Sequence, residues 1–158
     1  MSLAYLALGA NLGDPVATLA AAFTALEQLP ASTLLRRSSL YRTAPIGLTA
    51  QPDFINAAAS LSTTLMPHDL LQALQAIEQD FGRRRDIYNG PRTMDLDLLL
   101  YDTQEITSPQ LCVPHPRLHL RAFVLQPLAE IAPDLSIPGR GSLTAWLPAV
   151  ANQRIARL

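Results

Sequence analysis

An α+β sandwich, with a mostly antiparallel sheet held between helices, is the fold class that this sequence predicts. Three observations predict it. Strand-like and helix-like segments mix without a regular βαβ repeat, several connections read as hairpins, and 158 residues with 49% hydrophobic content suit one domain spanning residues 1–158.

Residues 3–8 form a short apolar run suited to a buried first strand, punctuated by Gly9, Asn11 and Gly13. Asp14 followed by Pro15 makes an N-cap and first helical position, opening an amphipathic helix to about Leu29. Residues 33–41 read as a second strand, 42–52 as an exposed loop with Pro45, Gly47 and Pro52, and 54–64 as a third strand whose alanines would also suit a helix. From Pro67 onward, Leu70, Leu74, Ile77 and Phe81 share one helical face, and Gly82 is placed to end that helix. An arginine-rich loop leads to a strand at 94–101, which Asp102 and Thr103 can turn back into a short partner at 105–107. Residues 118–131 are helical in composition, with Pro127 expected to kink the helix or begin a new turn. Ser142 is placed to cap a last short helix carrying Trp146.

A formal net charge of −1 offers no general attraction for nucleic acid or an anionic membrane, so any anion site must be local. No apolar run approaches the roughly 20 residues of a spanning helix, and no leader-like segment opens the chain, so a cytoplasmic location is expected. The single cysteine, Cys112, excludes an internal disulfide and a multi-cysteine zinc site, and reads as a small buried residue. All 12 basic residues are arginines. Phosphate-loop, Schiff-base and kinase-strand lysines are thereby excluded, which leaves arginine forks, metal ions and backbone amides to handle any phosphate.

The most informative stretch is Gly90-Pro91-Arg92-Thr93-Met94-Asp95-Leu96-Asp97-Leu98-Leu99-Leu100. Strand alternation puts Asp95 and Asp97 on one face, continued by Leu99 and Tyr101, and Leu96, Leu98 and Leu100 on the other. Two such carboxylates repel each other, and magnesium is the natural remedy because it accepts one or two carboxylates plus substrate phosphates. Taken alone, the pair equally suits two solvated aspartates on an edge strand. Arg83, Arg84, Arg85 and Arg92 shift the balance, since guanidinium forks opposite metal-binding carboxylates suit a polyphosphate.

His115 and His119 have the i, i+4 spacing of a metal pair, but Pro114 and Pro116 oppose a regular helix there. A single phosphate-contacting His115, with Arg121 beyond it, is the better reading. Phe54 and Phe123 could enclose a planar heterocycle, and the Asn56 carboxamide offers a donor and an acceptor to its edge.

Together these pieces resemble the 6-hydroxymethyl-7,8-dihydropterin pyrophosphokinase family. The matching segments run from Ala7-Leu8-Gly9-Ala10-Asn11-Leu12-Gly13 through Ser39-Leu40-Tyr41-Arg42-Thr43 and Gln51-Pro52-Asp53-Phe54-Ile55-Asn56-Ala57. They continue with Gly90-Pro91-Arg92-Thr93-Met94-Asp95-Leu96-Asp97, Val113-Pro114-His115-Pro116 and Arg121-Ala122-Phe123. The resemblance implies a three-layer α/β/α sandwich related to the ferredoxin-like arrangement. It also implies transfer of pyrophosphate from ATP to the pterin hydroxymethyl group in folate biosynthesis, by a monomer.

Under the resemblance, Asp95 and Asp97 bind two magnesium ions. Gln75, Glu78, Arg83, Arg85, Arg92, Leu98, His115 and Arg121 match positions around ATP, with Arg83 and Arg92 supporting the transition state. Thr43, Ala44, Ile46, Phe54, Asn56, Asp95 and Phe123 match the pterin pocket, and Asp97 or a metal-bound water is the candidate base. Three departures stand out. Asn89 replaces a frequent tryptophan, with Tyr88 a possible substitute; the loop at 82–90 is one residue shorter than in some relatives; and Gln110 stands where an arginine can occur. Two other functions remain open on the residues alone. A metal-dependent nucleotidyltransferase also uses paired aspartates, and a non-catalytic ferredoxin-like binding module would make the pair incidental.

Overall fold

The computed structural model describes residues 1–45, 50–81 and 94–158. Its centre is a six-stranded antiparallel sheet in the order β10-β3-β4-β1-β5, with β2 also paired to β4. The strands are β1 (Ser2–Ala10), β2 (Ser32–Arg37), β3 (Tyr41–Thr43), β4 (Phe54–Thr63), β5 (Asp95–Tyr101) and β10 (Ile155–Arg157). The helices are α1 (Pro15–Glu27), α2 (Pro67–Asp80) and α3 (Ala122–Ile131).

Alternation in β1 splits the core into two layers. Leu6 and Leu8 point to the back face, where Leu19 and Leu26 of α1 and Leu70 and Leu74 of α2 cover them. Ala7 points to the front, where Ala58 of β4 and Val124, Leu125 and Leu128 of α3 lie. Each of these leucines stabilises the fold by about 1.5–3 kcal/mol through burial, so the three layers are held by apolar contact on both sides of the sheet. The alanine run Ala57-Ala58-Ala59 is strand rather than helix because β4 is covered on both faces, and all three residues are buried.

The start of α1 is as expected, since the Asp14 carboxylate accepts from Ala17 N at 3.2 Å and Pro15 opens the helix. The strand expected at 33–41 is instead two strands. Ser38 breaks the run: its hydroxyl accepts from Ala58 N at 2.8 Å, while Ser39 N turns toward the Glu130 carboxylate of α3. The α2 helix gives way to Phe81, and Gly82 lies outside the described residues.

β5 departs from simple alternation. It pairs Leu6 with Leu98 and Tyr5 with Leu100, leaving Leu99 as an extra residue in a β-bulge. Leu96 and Leu98 therefore face the back core, Leu99 and Leu100 both face the front core, and Tyr101 returns to the back. The expected grouping of Leu100 with Leu96 and Leu98 is thus corrected, as is that of Tyr101 with the aspartates.

The hairpin expected after β5 does not form either. Asp102 has the left-handed φ of 51° and stays with β1, its carboxylate accepting from Leu3 N at 2.7 Å and its N–H donating to Leu3 O at 2.8 Å. The following strand β6 (Ile106–Thr107) pairs with β7 (Cys112–Val113). Cys112 is half-buried.

In the helical stretch the break falls at Arg121, not Pro127. A 3-10 turn, Leu118–Leu120, precedes the extended Arg121, and α3 then runs through the buried Pro127 to Ile131. A small β8–β9 ribbon (Ser136–Ile137 and Gly141–Ser142) follows. The last helix, Leu143–Val150, is 3-10 in type, and Ser142 contacts Thr144 Oγ1 instead of capping it.

Candidate active site

The front face of the sheet ends in a polar row. Cα register sets Tyr41 opposite Asn56, Asn56 opposite Gly9, and Gly9 opposite Asp95; Ala7 stands opposite Asp97. Because register partners share a face, Asn56, Asp95 and Asp97 all look to the front, with Phe54 and Thr43 paired at the next position out. Both aspartates are half-buried.

Gly9 is required by this crowding. A Cβ at Gly9 would lie 2.8 Å from Asn56 Nδ2, so only glycine lets the carboxamide lie across β1. Thr43 Oγ1 donates to Asn56 Oδ1 at 2.7 Å, which fixes the amide orientation and turns Nδ2 toward Gly9. Thr43 and Asn56 are both buried. At the rim, Asn11 Nδ2 donates to Gln51 Oε1 at 2.8 Å and to Pro52 O at 3.0 Å, tying the end of β1 to the approach of β4.

A cavity of about 150 Å³ adjoins this row, between the 43–45 segment and Ala122-Phe123. Thr43, Ala44 and Phe123 line this cavity together, with Gln153 and Arg154 on its other side. These two residues carried no sequence signal, because only β10, paired with β3, brings them there. The Arg121 guanidinium lies 5.2 Å from the centre of the Phe123 ring, a cation–π distance.

His115 is bound to the carboxylate strand, donating its N–H to Leu99 O at 2.9 Å. Its Nδ1 accepts from Arg117 N at 3.2 Å, so the neutral ring carries its proton on Nε2. Burial, then the Arg121 charge, pull its pKa down to about 4, with Asp95 opposing and Arg117 assisting. His119 is buried edge-on against Trp146, with ring centres 4.8 Å apart.

On the outer edge of β5, the Glu78 carboxylate is 1% exposed and accepts from Leu96 N at 2.8 Å. It thereby braces the strand between its two aspartates. Gln75 is half-buried one turn earlier on α2. The Leu98 side chain is buried in the back core, so a ligand could meet this residue only through its main chain. Ile46, Arg83, Arg84, Arg85 and Arg92, like Tyr88 and Asn89, lie outside the described residues.

The donor set suits magnesium. Asp95 and Asp97 share the front face of β5, and among the described residues no group of three or more His, Cys, Asp or Glu could hold a metal. An ion that keeps its waters and takes further oxygen ligands from a substrate fits such a pair better than one needing a complete protein cage.

A family model described as 7,8-dihydro-6-hydroxymethylpterin-pyrophosphokinase matches residues 5–133. A Pseudomonas aeruginosa protein named 2-amino-4-hydroxy-6-hydroxymethyldihydropteridine pyrophosphokinase is 49% identical over 154 residues, covering 98% of this chain and 95% of the relative. One of the same name from Haemophilus influenzae is 43% identical over 158 residues, covering 100% and 99%. Among solved structures, a Plasmodium falciparum HPPK-DHPS chain aligns with a TM-score of 0.74 at 13% identity. This chain is covered to 94% and spans 45% of that longer one, and a likeness at such identity concerns the fold. Sequence match and fold agree, and the chain belongs to the 7,8-dihydro-6-hydroxymethylpterin-pyrophosphokinase family.

Proposed function

We propose that this chain performs its family's reaction on the front face of the sheet, where Asp95 and Asp97 would hold two magnesium ions. The reaction is a diphosphoryl transfer of folate biosynthesis, from ATP to 6-hydroxymethyl-7,8-dihydropterin. The pterin hydroxymethyl oxygen attacks the β-phosphorus, the bond from that phosphorus to the α-phosphate oxygen breaks, and AMP leaves as the hydroxyl gives up its proton to Asp97 or to water. Magnesium at the aspartates would supply Lewis-acid stabilisation of the charge on the phosphoryl oxygens. No covalent protein intermediate is required.

The chain's own residues do the rest. Thr43 fixes the Asn56 amide so that it can read the pterin edge, and Phe54 and Phe123 offer faces to the ring, with Ala44 and Ile46 as walls. Arg85, Arg121 and neutral His115 meet the nucleotide phosphates, while Arg83 and Arg92 act on charge that grows during transfer. Gln75 and the Leu98 main chain serve the nucleotide, and Glu78 acts by bracing β5. The protein works as a single-domain monomer in the cytoplasm; no helix among the described residues is long and apolar enough to cross a membrane.

The observation that best supports this reading is the register of Asn56, Gly9 and Asp95 on three neighbouring strands, which joins a donor–acceptor edge to a carboxylate pair. Incubation with ATP, magnesium and the reduced pterin alcohol, followed by product chromatography, tests it. AMP and the pterin diphosphate are expected, whereas pyrophosphate release would identify a nucleotidyltransferase instead.

A further inference from the structure

We propose that Gln153 is a positioning residue that fixes the backbone of Arg121 and so presents its guanidinium to the nucleotide, a role that rests on the function proposed above. Gln153 lies beyond the family-matched residues 5–133 and just ahead of β10. Its Oε1 accepts from Ala122 N at 2.8 Å, and its Nε2 donates to Leu120 O at 2.9 Å. The two partners flank Arg121.

In an extended residue, the preceding carbonyl and the following N–H point to the same side, where a neighbouring strand would normally pair with both. Arg121 is extended, with φ −128° and ψ 115°, and the Gln153 amide supplies the pairing that a strand peptide would give. Arg121 is also the N-cap position of α3, yet no side-chain cap from Arg121 itself satisfies the helix. Gln153 therefore takes one first-turn N–H and holds the 3-10 turn and α3 at a set angle. The direction of the Arg121 side chain is set by that backbone, as is the step to Phe123 beside the cavity. Without the clamp, Arg121 would sample other φ/ψ values, and ordering it would weaken nucleotide binding.

A double-mutant cycle tests the coupling. Calorimetry with a non-hydrolysable ATP analogue and magnesium would compare wild type, Gln153→Met, Arg121→Ala and the double variant, with melting curves to verify folding. Gln153→Met keeps side-chain length but removes both hydrogen bonds. It should weaken nucleotide binding by roughly five- to tenfold, and the double variant should bind no worse than Arg121→Ala. Equal affinity for Gln153→Met and wild type, or losses that multiply in the double variant, would overturn the clamp. Normal binding by Arg121→Ala would overturn the nucleotide role of Arg121 and the clamp with it, which separates the two failures. Should Gln153→Met not fold, Gln153→Glu, which retains the acceptor for Ala122 N, goes through the same cycle. It should lose affinity only where Arg121 is present, and a loss independent of Arg121 would refute the proposal.

Discussion

The Tyr41 hydroxyl donates to Glu130 Oε1 at 2.6 Å, joining β3 to the far end of α3. The same carboxylate accepts from Ser39 N and Ser39 Oγ and faces Arg157 at 3.4 Å. Burial pushes the Glu130 carboxyl up, but the Tyr41 and Ser39 hydrogen bonds and the Arg157 charge outweigh it and hold the pKa below its usual value. Burial, followed by the bond to Glu130 and its charge, pushes Tyr41 up to about 12.

Glu130→Gln should therefore destabilise the protein at neutral pH by about 1–3 kcal/mol. A carboxylate with a depressed native pKa gives stability that is present above its unfolded value and lost as pH falls through the native one. Urea unfolding at pH 7 and pH 3 would check this: the gap between wild type and variant should be wide at pH 7 and narrow at pH 3. An equal gap at both would mean that ionisation plays no part.

Gly9→Ala should act on the pterin side of the reaction. The added methyl meets Asn56 Nδ2 and must push the amide off Thr43, so pterin KM should rise at least about tenfold with nucleotide affinity nearly unchanged. Steady-state kinetics with each substrate varied in turn would show the split. A parallel rise in both KM values would point to general misfolding.

Asp95→Asn and Asp97→Asn each retain shape while removing a charge. Turnover should fall by at least ~10³-fold in either variant, with the protein still folded by its melting curve. AMP release at a near-normal rate from either variant would remove the aspartates from the metal role.

His115 should titrate far below an ordinary histidine. Nitrogen-15 spectra of the ligand-free protein should show a neutral ring protonated on Nε2 at pH 7 and a midpoint at about 4. The sign of the linkage follows: between the unfolded value near 6.5 and about 4 the unfolded chain binds more protons, so His115 costs stability as pH falls through that window. A midpoint near 6.5 would show that the ring is neither buried nor crowded by Arg121.

The layering and the aspartate pair were legible in the sequence because both rest on local periodicity. Alternation in β1 and the α2 spacing each report a face directly. Three features were not legible for a common reason: they depend on contacts distant along the chain. The break at Ser38 needs Ala58 and Glu130, the loss of the hairpin needs Asp102 to meet Leu3, and the cavity wall needs Gln153 to return beside Ala122. The extended residue at Arg121 had no local signal to mark it, whereas Pro127, the strongest local signal in the segment, lies inside α3. The bond from Leu96 N to Glu78 likewise joins distant segments, α2 and β5, and had no local signal.

The bulge at Leu99 makes the length of this strand as informative as its composition. Deleting Leu99 would restore regular pairing and leave Asp95, Asp97 and Tyr101 on their present faces, at the cost of one leucine from the front core. Loss of the bulge therefore shortens the interval from Asp95 to Asp102 without turning either end, whereas one residue added to the regular part of the strand would turn one end against the other. The bulge is the one place of slack between the carboxylates at one end of the strand and the Leu3 anchor at the other.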